Sequence, residues 1–261
     1  MKEKCEAFER LLNIMDDLRS KCPWDKEQTF ESLRTLTIEE VYELADAIFQ
    51  KDMKGIRKEL GDVLLHIVFY AKLGSEIEEF DINDIINSLC DKLIYRHPHI
   101  YGDVNVRNAK QVADNWEQLK LKEKGNARVL GGIPKSLPAL VKANRIQDKV
   151  RGVGFDWEEK SQVWTKVFEE YRELRREIQN DDKEKIEEEF GDLFFSLINA
   201  ARLYGINPEN ALEKTNEKFT KRFNYLEDKT IRAGKSLRDM TLAEMDVYWE
   251  EAKKGEFKKK N

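Results

Sequence analysis

The sequence predicts an all-α protein made of two tandem helical bundles, with almost no β-sheet. Charged residues make up 37% of the 261 residues, against roughly 25% in typical globular proteins. The chain has only 13 Gly and 5 Pro for turns, and no segment alternates apolar and polar residues as a half-buried strand does. The second half of the chain also repeats the pattern of the first half.

This internal repeat has an offset of 130 residues in its two best-matched segments. The segment IEEVYELADAI (38–48) matches FEEYRELRREI (168–178), and KELGDVLLHIVFYAKL (58–73) matches EEFGDLFFSLINAARL (188–203). Between the copies, glycines and a proline interrupt the helical periodicity. The repeat therefore predicts an N-terminal helical domain, a linker and a C-terminal helical domain, with the limits 1–124, 125–138 and 139–261.

Each copy is predicted to contain a pair of neighbouring helices. Thr37 and Glu40 have capping-box spacing, which predicts that the first helix of the pair begins at Thr37. Apolar residues then recur at helical spacing, and a short break at 51–55 separates them from the apolar stripe of the next helix. A connection this short favours antiparallel packing of the two helices.

Acidic side chains lie next to the apolar stripes of both helices in each copy. Pairs spaced i,i+3 share a helix face, so antiparallel packing brings four carboxylates together. Like charges at a helix interface repel and resist desolvation, and a bound cation compensates both effects. Carboxylate oxygens suit Mg²⁺ or Mn²⁺. The predicted metal ligands are Glu40, Glu43, Glu59 and Asp62 in the first copy, and Glu170, Glu173, Glu189 and Asp192 in the second.

Two other interpretations stay open from the residues alone. The acidic rows could be solvated faces of a non-catalytic helical interaction protein. They could also belong to a carboxylate-bridged iron bundle, which needs Glu-x-x-His on two helices. His66 follows Asp62 by four residues, but its counterpart is Ser196 and the segment 139–261 contains no histidine. The missing histidines favour magnesium over iron.

Charge and composition exclude several classes of partner and location. A net charge of −5 disfavours a general nucleic-acid binder. The longest apolar stretch, Val63–Ala71, is far shorter than the roughly 20 residues of a membrane helix. The three cysteines show no C-x-x-C spacing, which favours a reducing cytoplasm.

Basic and aromatic residues accompany the acids in a pattern that suits a polyphosphate ligand. Lys218 and Arg222 share one helix face, as do Lys92 and Arg96. A cluster of carboxylates ringed by such cations can bind phosphate oxygens directly and through a metal. A tryptophan repeated in position after each basic pair either stacks on a base or fills the core.

Taken together, the duplicated motifs EExxE, ExxD sixteen residues later, and KxxxR resemble the MazG nucleoside triphosphate pyrophosphohydrolases of the all-α NTP pyrophosphatase superfamily. The resemblance includes CPWDKEQTF, RHPH, IPKSLPAL and NEKFTKRF and covers nearly the whole chain. It implies Mg²⁺-dependent hydrolysis of NTPs and dNTPs to the monophosphate and pyrophosphate. It also implies tandem all-α domains, a homodimer, and a role in cleansing or regulating nucleotide pools.

The resemblance also implies roles for individual residues, with the second copy as the better nucleotide site. The implied catalytic residues are Glu169, which would orient water, with Glu170, Glu173, Glu189 and Asp192. The implied nucleotide contacts are Lys166, Glu169, Lys185, Glu188, Lys218, Arg222 and Trp249 in the second copy, and Lys92, Arg96, Trp116 and Lys120 in the first. The first copy has Leu36 and Gly55 where the second has Lys166 and Lys185. We therefore expect the first copy to hold a triphosphate poorly.

Overall fold

The computed structural model describes residues 1–108, 111–112, 115–116, 119 and 128–258. The chain divides into two compact units, Met1–Lys120 and Leu121–Asn261. The described residues contain no β-strand, which confirms the all-α prediction. None of the helices in these ranges is long and apolar enough to cross a lipid bilayer. The predicted domain limits 1–124 and 139–261 stay a prediction.

The helices of both units follow one another with short connections. Those of the first unit are α1 (Lys2–Lys21), α2 (Pro23–Glu27), α3 (Phe30–Gln50), α4 (Met53–Glu76), α5 (Ile82–Arg96) and α6 (Pro98–Tyr101). Those of the second are α7 (Ala139–Arg151), α8 (Lys160–Asn180), α9 (Lys183–Leu203), α10 (Pro208–Arg232), the 3₁₀ turn Leu237–Asp239, and α11 (Leu242–Lys258). The pairs α3–α4 and α8–α9 pack against each other.

Helix α3 begins earlier than the sequence predicted. Thr29 is its N-cap: the Thr29 Oγ1 accepts from the Ser32 amide at 3.2 Å, and the Ser32 Oγ accepts from the Thr29 amide at 2.9 Å. The prediction that Thr37 opens this helix is wrong, because Thr37 lies within it and donates to the Leu33 carbonyl at 2.9 Å. The helix extends upstream because Leu33 is fully buried in the core, so burial stabilises the additional turns.

The same two-residue turn joins the paired helices in both units. Lys51 and Asp181 end α3 and α8 with φ angles of 60° and 57°, a left-handed conformation that is uncommon for non-glycine residues. Asp52 and Asp182 then cap α4 and α9 by accepting from backbone amides. The break is shorter than predicted, since Gly55 already lies in the first turn of α4. These turns hold each pair antiparallel.

A small apolar core lies beside each helix pair. The first core contains Met15, Leu33, Val68, Phe69 and Leu73. The second contains Val163, Val167 and Ala200, with Leu193 and Leu203 packed against them. Burial of large apolar side chains, worth roughly 1.5–3 kcal/mol each, fixes the rotation of each helix about its axis. The acidic residues at the same helix interfaces are thereby held close together.

Candidate active site

Three of the four predicted metal ligands come together in each unit. The two triplets are Glu40, Glu43 and Glu59 in the first unit, and Glu170, Glu173 and Glu189 in the second. In each triplet, one carboxylate oxygen per residue lies within 4.8 Å of the others. Two members come from the first helix of the pair and one from the second, so the antiparallel packing assembles the cluster.

The fourth predicted ligand lies next to the triplet in each unit. Asp62 Oδ2 is 3.4 Å from Lys58 Nζ, and the negative charge of Asp62 contributes to raising the pKa of Glu40. Asp192 lines a cavity together with Glu170. Each aspartate therefore lies near the glutamates, but its oxygens are not among those that lie within 4.8 Å of one another.

The electrostatics of the second cluster fit a bound cation. Burial raises the pKa of the Glu189 carboxyl, and the charges of Glu173, Glu170 and Asp192 raise it further. The Glu189 Oε2 atom is buried and has no hydrogen-bond partner among the described residues. Buried polar atoms almost always have a partner, and one without requires an explanation. An oxygen surrounded by other carboxylates cannot be satisfied by them, whereas a divalent cation would satisfy it, and an all-carboxylate set suits Mg²⁺ or Mn²⁺.

The first cluster is compensated differently. Burial raises the pKa of Glu40, followed by the charges of Asp62 and Glu43. The ammonium group of Lys58 lies 3.0 Å from Glu59 Oε1 and 3.9 Å from Glu43 Oε2. The hydrogen bond to Glu59 is the main cause that raises the pKa of Lys58. A positive charge from the protein itself therefore lies among these carboxylates.

Of the lysines predicted to bind the nucleotide, Lys166 contacts the second cluster. Its Nζ atom lies 2.6 Å from Glu170 Oε1 and 3.0 Å from Glu169 Oε1, and these hydrogen bonds raise the pKa of Lys166 well above its usual range. Lys185 and Glu188 are exposed on α9, and Lys185 Nζ is 3.4 Å from Asp182.

The predicted basic and aromatic residues form an equivalent pair in each unit. The Arg222 guanidinium carbon lies 5.9 Å from the centre of the Trp249 ring, and that of Arg96 lies 5.0 Å from the Trp116 ring. Both distances are within cation–π range, so each tryptophan contacts the helix that carries the KxxxR motif. Lys92 and Lys218 are exposed on the same two helices, α5 and α10. Lys120 lies outside the described residues.

A cavity of about 640 Å³ adjoins the second cluster. Glu170, Asp192 and Lys166 form part of its wall, and aromatic and amide side chains form much of the rest. The lining residues that the sequence prediction missed include Gln147, Phe155, Trp157, Phe195 and Asn199. They come from α7, from the connection before α8 and from α9, and helical spacing alone does not show that these three segments meet at one site.

Gln147 is an unusual member of this wall. Its side chain is almost completely buried, with 3% of the residue exposed. The Nε2 atom donates to the Phe195 carbonyl at 2.8 Å, while Oε1 has no hydrogen-bond partner among the described residues. The amide is thereby oriented, and one acceptor is left for a ligand or water.

These features define a class of protein: a duplicated all-α chain with a carboxylate cluster between paired helices in each half. The MazG nucleotide pyrophosphohydrolase domain matches residues 28–101 and 159–226. The nucleoside triphosphate pyrophosphohydrolase/pyrophosphatase MazG of Thermotoga maritima is 43% identical over 260 residues, which cover 98% of this chain and 99% of that protein. The nucleoside triphosphate pyrophosphohydrolase of Escherichia coli K12 is 43% identical over 257 residues, covering 95% of this chain and 98% of that protein.

One solved structure, a mazG-related protein from Thermotoga maritima, aligns with 43% of this chain and 97% of its own, with a TM-score of 0.38 and 25% identity. The family match and the relatives of equal length establish that the chain belongs to the MazG nucleotide pyrophosphohydrolase family. Membership confirms the resemblance found in the motifs. It also makes the chain an enzyme, which removes the interpretation as a non-catalytic interaction protein.

Proposed function

We propose that this enzyme hydrolyses NTPs and dNTPs at the α–β phosphoanhydride, with Mg²⁺, in its second unit. The products are a nucleoside monophosphate and pyrophosphate. The proposed role is the cleansing or regulation of nucleotide pools. The observation that carries the proposal is the buried Glu189 Oε2, which lacks a hydrogen-bond partner in a cluster of carboxylates. Relatives of the same length carry names that fit this activity.

The residues of the second cluster would hold the metal. Glu170, Glu173 and Glu189 offer the closest oxygens, and Asp192 is the proposed fourth ligand. When bound, Mg²⁺ would supply positive charge for the phosphate oxygens and lower the pKa of water. Iron is disfavoured because the triplet contains no histidine. His66 in the first unit instead shares a hydrogen bond of 2.9 Å with Thr37 Oγ1.

In the proposed reaction, the oxygen of a water molecule attacks the α-phosphorus. The bond from phosphorus to the α–β bridging oxygen breaks, and pyrophosphate leaves with the bonding electrons. We assign Glu169 the role of orienting the water and accepting its proton. The implied phosphate contacts absorb the charge that develops on the leaving group; they are Lys166, Lys185, Lys218 and Arg222.

The cavity beside the cluster is suited to the nucleoside part of the substrate. Its volume of about 640 Å³ falls within the roughly 300–1,000 Å³ of typical ligand pockets. Aromatic side chains such as Trp157 and Phe195 line it together with the amides of Gln147 and Asn199. A base could stack on the rings while its polar edge meets the amides. We retain Trp249 and Glu188 as proposed contacts to other parts of the nucleotide.

Product analysis tests the proposed activity. The protein is incubated with the common NTPs and dNTPs, with Mg²⁺ or with EDTA, and the products are separated. Monophosphate and pyrophosphate that form only with Mg²⁺ are the expected result, whereas diphosphate and phosphate would refute the bond assignment. Glu173→Gln should lower the rate by more than the roughly 10–100-fold seen for outer-shell partners of metals. Glu187→Gln, which removes an exposed acid on the paired helix α9 outside the predicted set, is the control.

We further propose that the enzyme is a cytoplasmic homodimer. Several large apolar side chains on the paired helices are exposed within the single chain, and exposed apolar surface favours a protein interface. The residues concerned include Phe168, Tyr171, Phe190 and Phe194 in the second unit, and Leu60 and Leu64 in the first. Light scattering on the protein as it elutes from a size-exclusion column should give twice the mass of the 30.8 kDa chain.

A further inference from the structure

Lys58 is in contact with three of the four predicted metal ligands of the first unit. Its Nζ atom lies 3.0 Å from Glu59 Oε1, 3.4 Å from Asp62 Oδ2 and 3.9 Å from Glu43 Oε2. These carboxylates belong to both helices of the pair, α3 and α4. The ammonium group therefore bridges the same helices that a divalent ion in this cluster would bridge.

The second unit has the opposite charge at the equivalent position. The repeat offset of 130 aligns Lys58 with Glu188, so the two positions differ by two units of charge. Lys166 does approach the second cluster, but its described contacts are with Glu169 and Glu170, both on its own helix. Within the described ranges, Glu189 Oε2 still has no partner.

A divalent ion entering the first cluster would have to displace this ammonium group or bind beside it. Displacement breaks the contacts of Lys58 with Glu43, Glu59 and Asp62, and binding beside it places like charges close together. The side chain of Lys58 is 66% exposed, so it can swing into solvent, and metal binding is weakened but not prevented. Each exposed ion pair contributes modestly, and three such contacts together correspond to roughly a tenfold or larger loss of metal affinity.

We propose that Lys58 is a resident cation of the first cluster, and that each chain consequently has one high-affinity divalent-metal centre, located in the second unit. The first unit keeps the acidic residues of the repeat, but the ammonium group of Lys58 forms ion pairs with three of the four. This inference rests on the proposed metal-dependent function of the second unit. It explains how the two copies of a duplicated cluster can differ in their affinity for a divalent metal.

Mn²⁺ binding to the full-length protein, measured by calorimetry and electron paramagnetic resonance, tests the inference without reference to activity. The wild-type chain should bind one Mn²⁺ tightly, and Glu173→Gln, but not Glu43→Gln, should remove this binding. Lys58→Glu, which copies the residue of the second unit, should add a second Mn²⁺ site with affinity at least roughly tenfold above that of the wild-type first cluster. Arg57→Glu, with the same change of charge at an exposed neighbouring position, should add none.

The reciprocal change and a neutral variant complete the test. Glu188→Lys should lower Mn²⁺ affinity of the second unit, while Lys58→Gln should raise that of the first without introducing a negative charge. If Lys58→Glu folds poorly by circular dichroism, Lys58→Gln decides the result. Two equally tight sites in the wild-type chain, or no gain in either Lys58 variant, would overturn the inference while leaving pyrophosphate release intact. A wild-type chain that releases no pyrophosphate and binds no Mn²⁺ would instead overturn the proposed function, and the inference with it.

Discussion

Replacing Glu189 by Gln should stabilise the metal-free protein and abolish its stabilisation by Mg²⁺. In the structure, burial and four neighbouring carboxylates raise the pKa of Glu189 above the ordinary 4.5, so folding favours the protonated acid. The stability linked to this group is present at low pH and is lost as the pH rises through the elevated pKa. Glutamine resembles the protonated acid, and its amide can donate to Glu173 or Glu170.

The size of the effect follows from the buried oxygen without a partner. Such a group costs about 1–3 kcal/mol, and 1 kcal/mol corresponds to about 2–4 °C in Tm for a domain of 150–250 residues. We therefore expect the transition of the second unit to shift upward by several degrees in EDTA at neutral pH. The difference between Glu189→Gln and wild type should disappear at acidic pH, where both side chains are uncharged.

Differential scanning calorimetry of the full chain, in EDTA and in excess Mg²⁺, measures both parts of the effect. The wild type should gain stability with Mg²⁺ because the ion binds the folded state, and Glu189→Gln should show little gain. Glu187→Gln, on the same helix and exposed, should follow the wild type in both buffers. A lower Tm for Glu189→Gln in EDTA would show that the carboxylate is not destabilising in the metal-free protein, and the reasoning would fail.

Two further outcomes are expected. Mn²⁺ affinity should fall as the pH is lowered from neutral, because the raised pKa of Glu189 lets protons compete with the metal for the cluster. Calorimetry in buffers of different ionisation enthalpy should show that protons are released when Mn²⁺ binds. Binding that does not change with pH would contradict this expectation. Gln147→Met should raise the KM for NTPs roughly three- to tenfold, because it removes the proposed hydrogen bond to the base. The inhibition constant of inorganic tripolyphosphate, which has no base, should stay unchanged. Equal effects on both constants would assign Gln147 a role in folding alone.

The sequence was sufficient to predict the all-α class and the grouping of the acidic residues. Both depend on periodicity: helical spacing defines a face, and a short connection pairs two faces. The start of α3 was predicted at the wrong place because Thr37 and Glu40 satisfy the capping pattern, although the apolar residues upstream of Thr37 continue the helix. Local patterns do not reveal which of two candidate caps the core selects.

The differences between the two clusters were harder to predict from the sequence. Lys58 stands four residues before Asp62 and so has the spacing of an ordinary surface ion pair, and its contact with Glu43 on the other helix becomes evident only in three dimensions. Its replacement by Glu188 at the repeat offset was the one available signal. The cavity wall near Gln147 combines segments distant in sequence, and a single chain contains no pattern that links them.

The two-residue turns at Lys51 and Asp181 limit how far the two helices of each pair can shift along one another. The core fixes the rotation of each helix, but a longer turn would let α9 shift along α8 by about 1.5 Å for each residue of displacement, and this shift would move Glu189 away from its partners on α8. The length of each turn is therefore tied to the alignment of the opposing acids. Insertions and deletions should be tolerated better elsewhere, for example in the loop before Pro208.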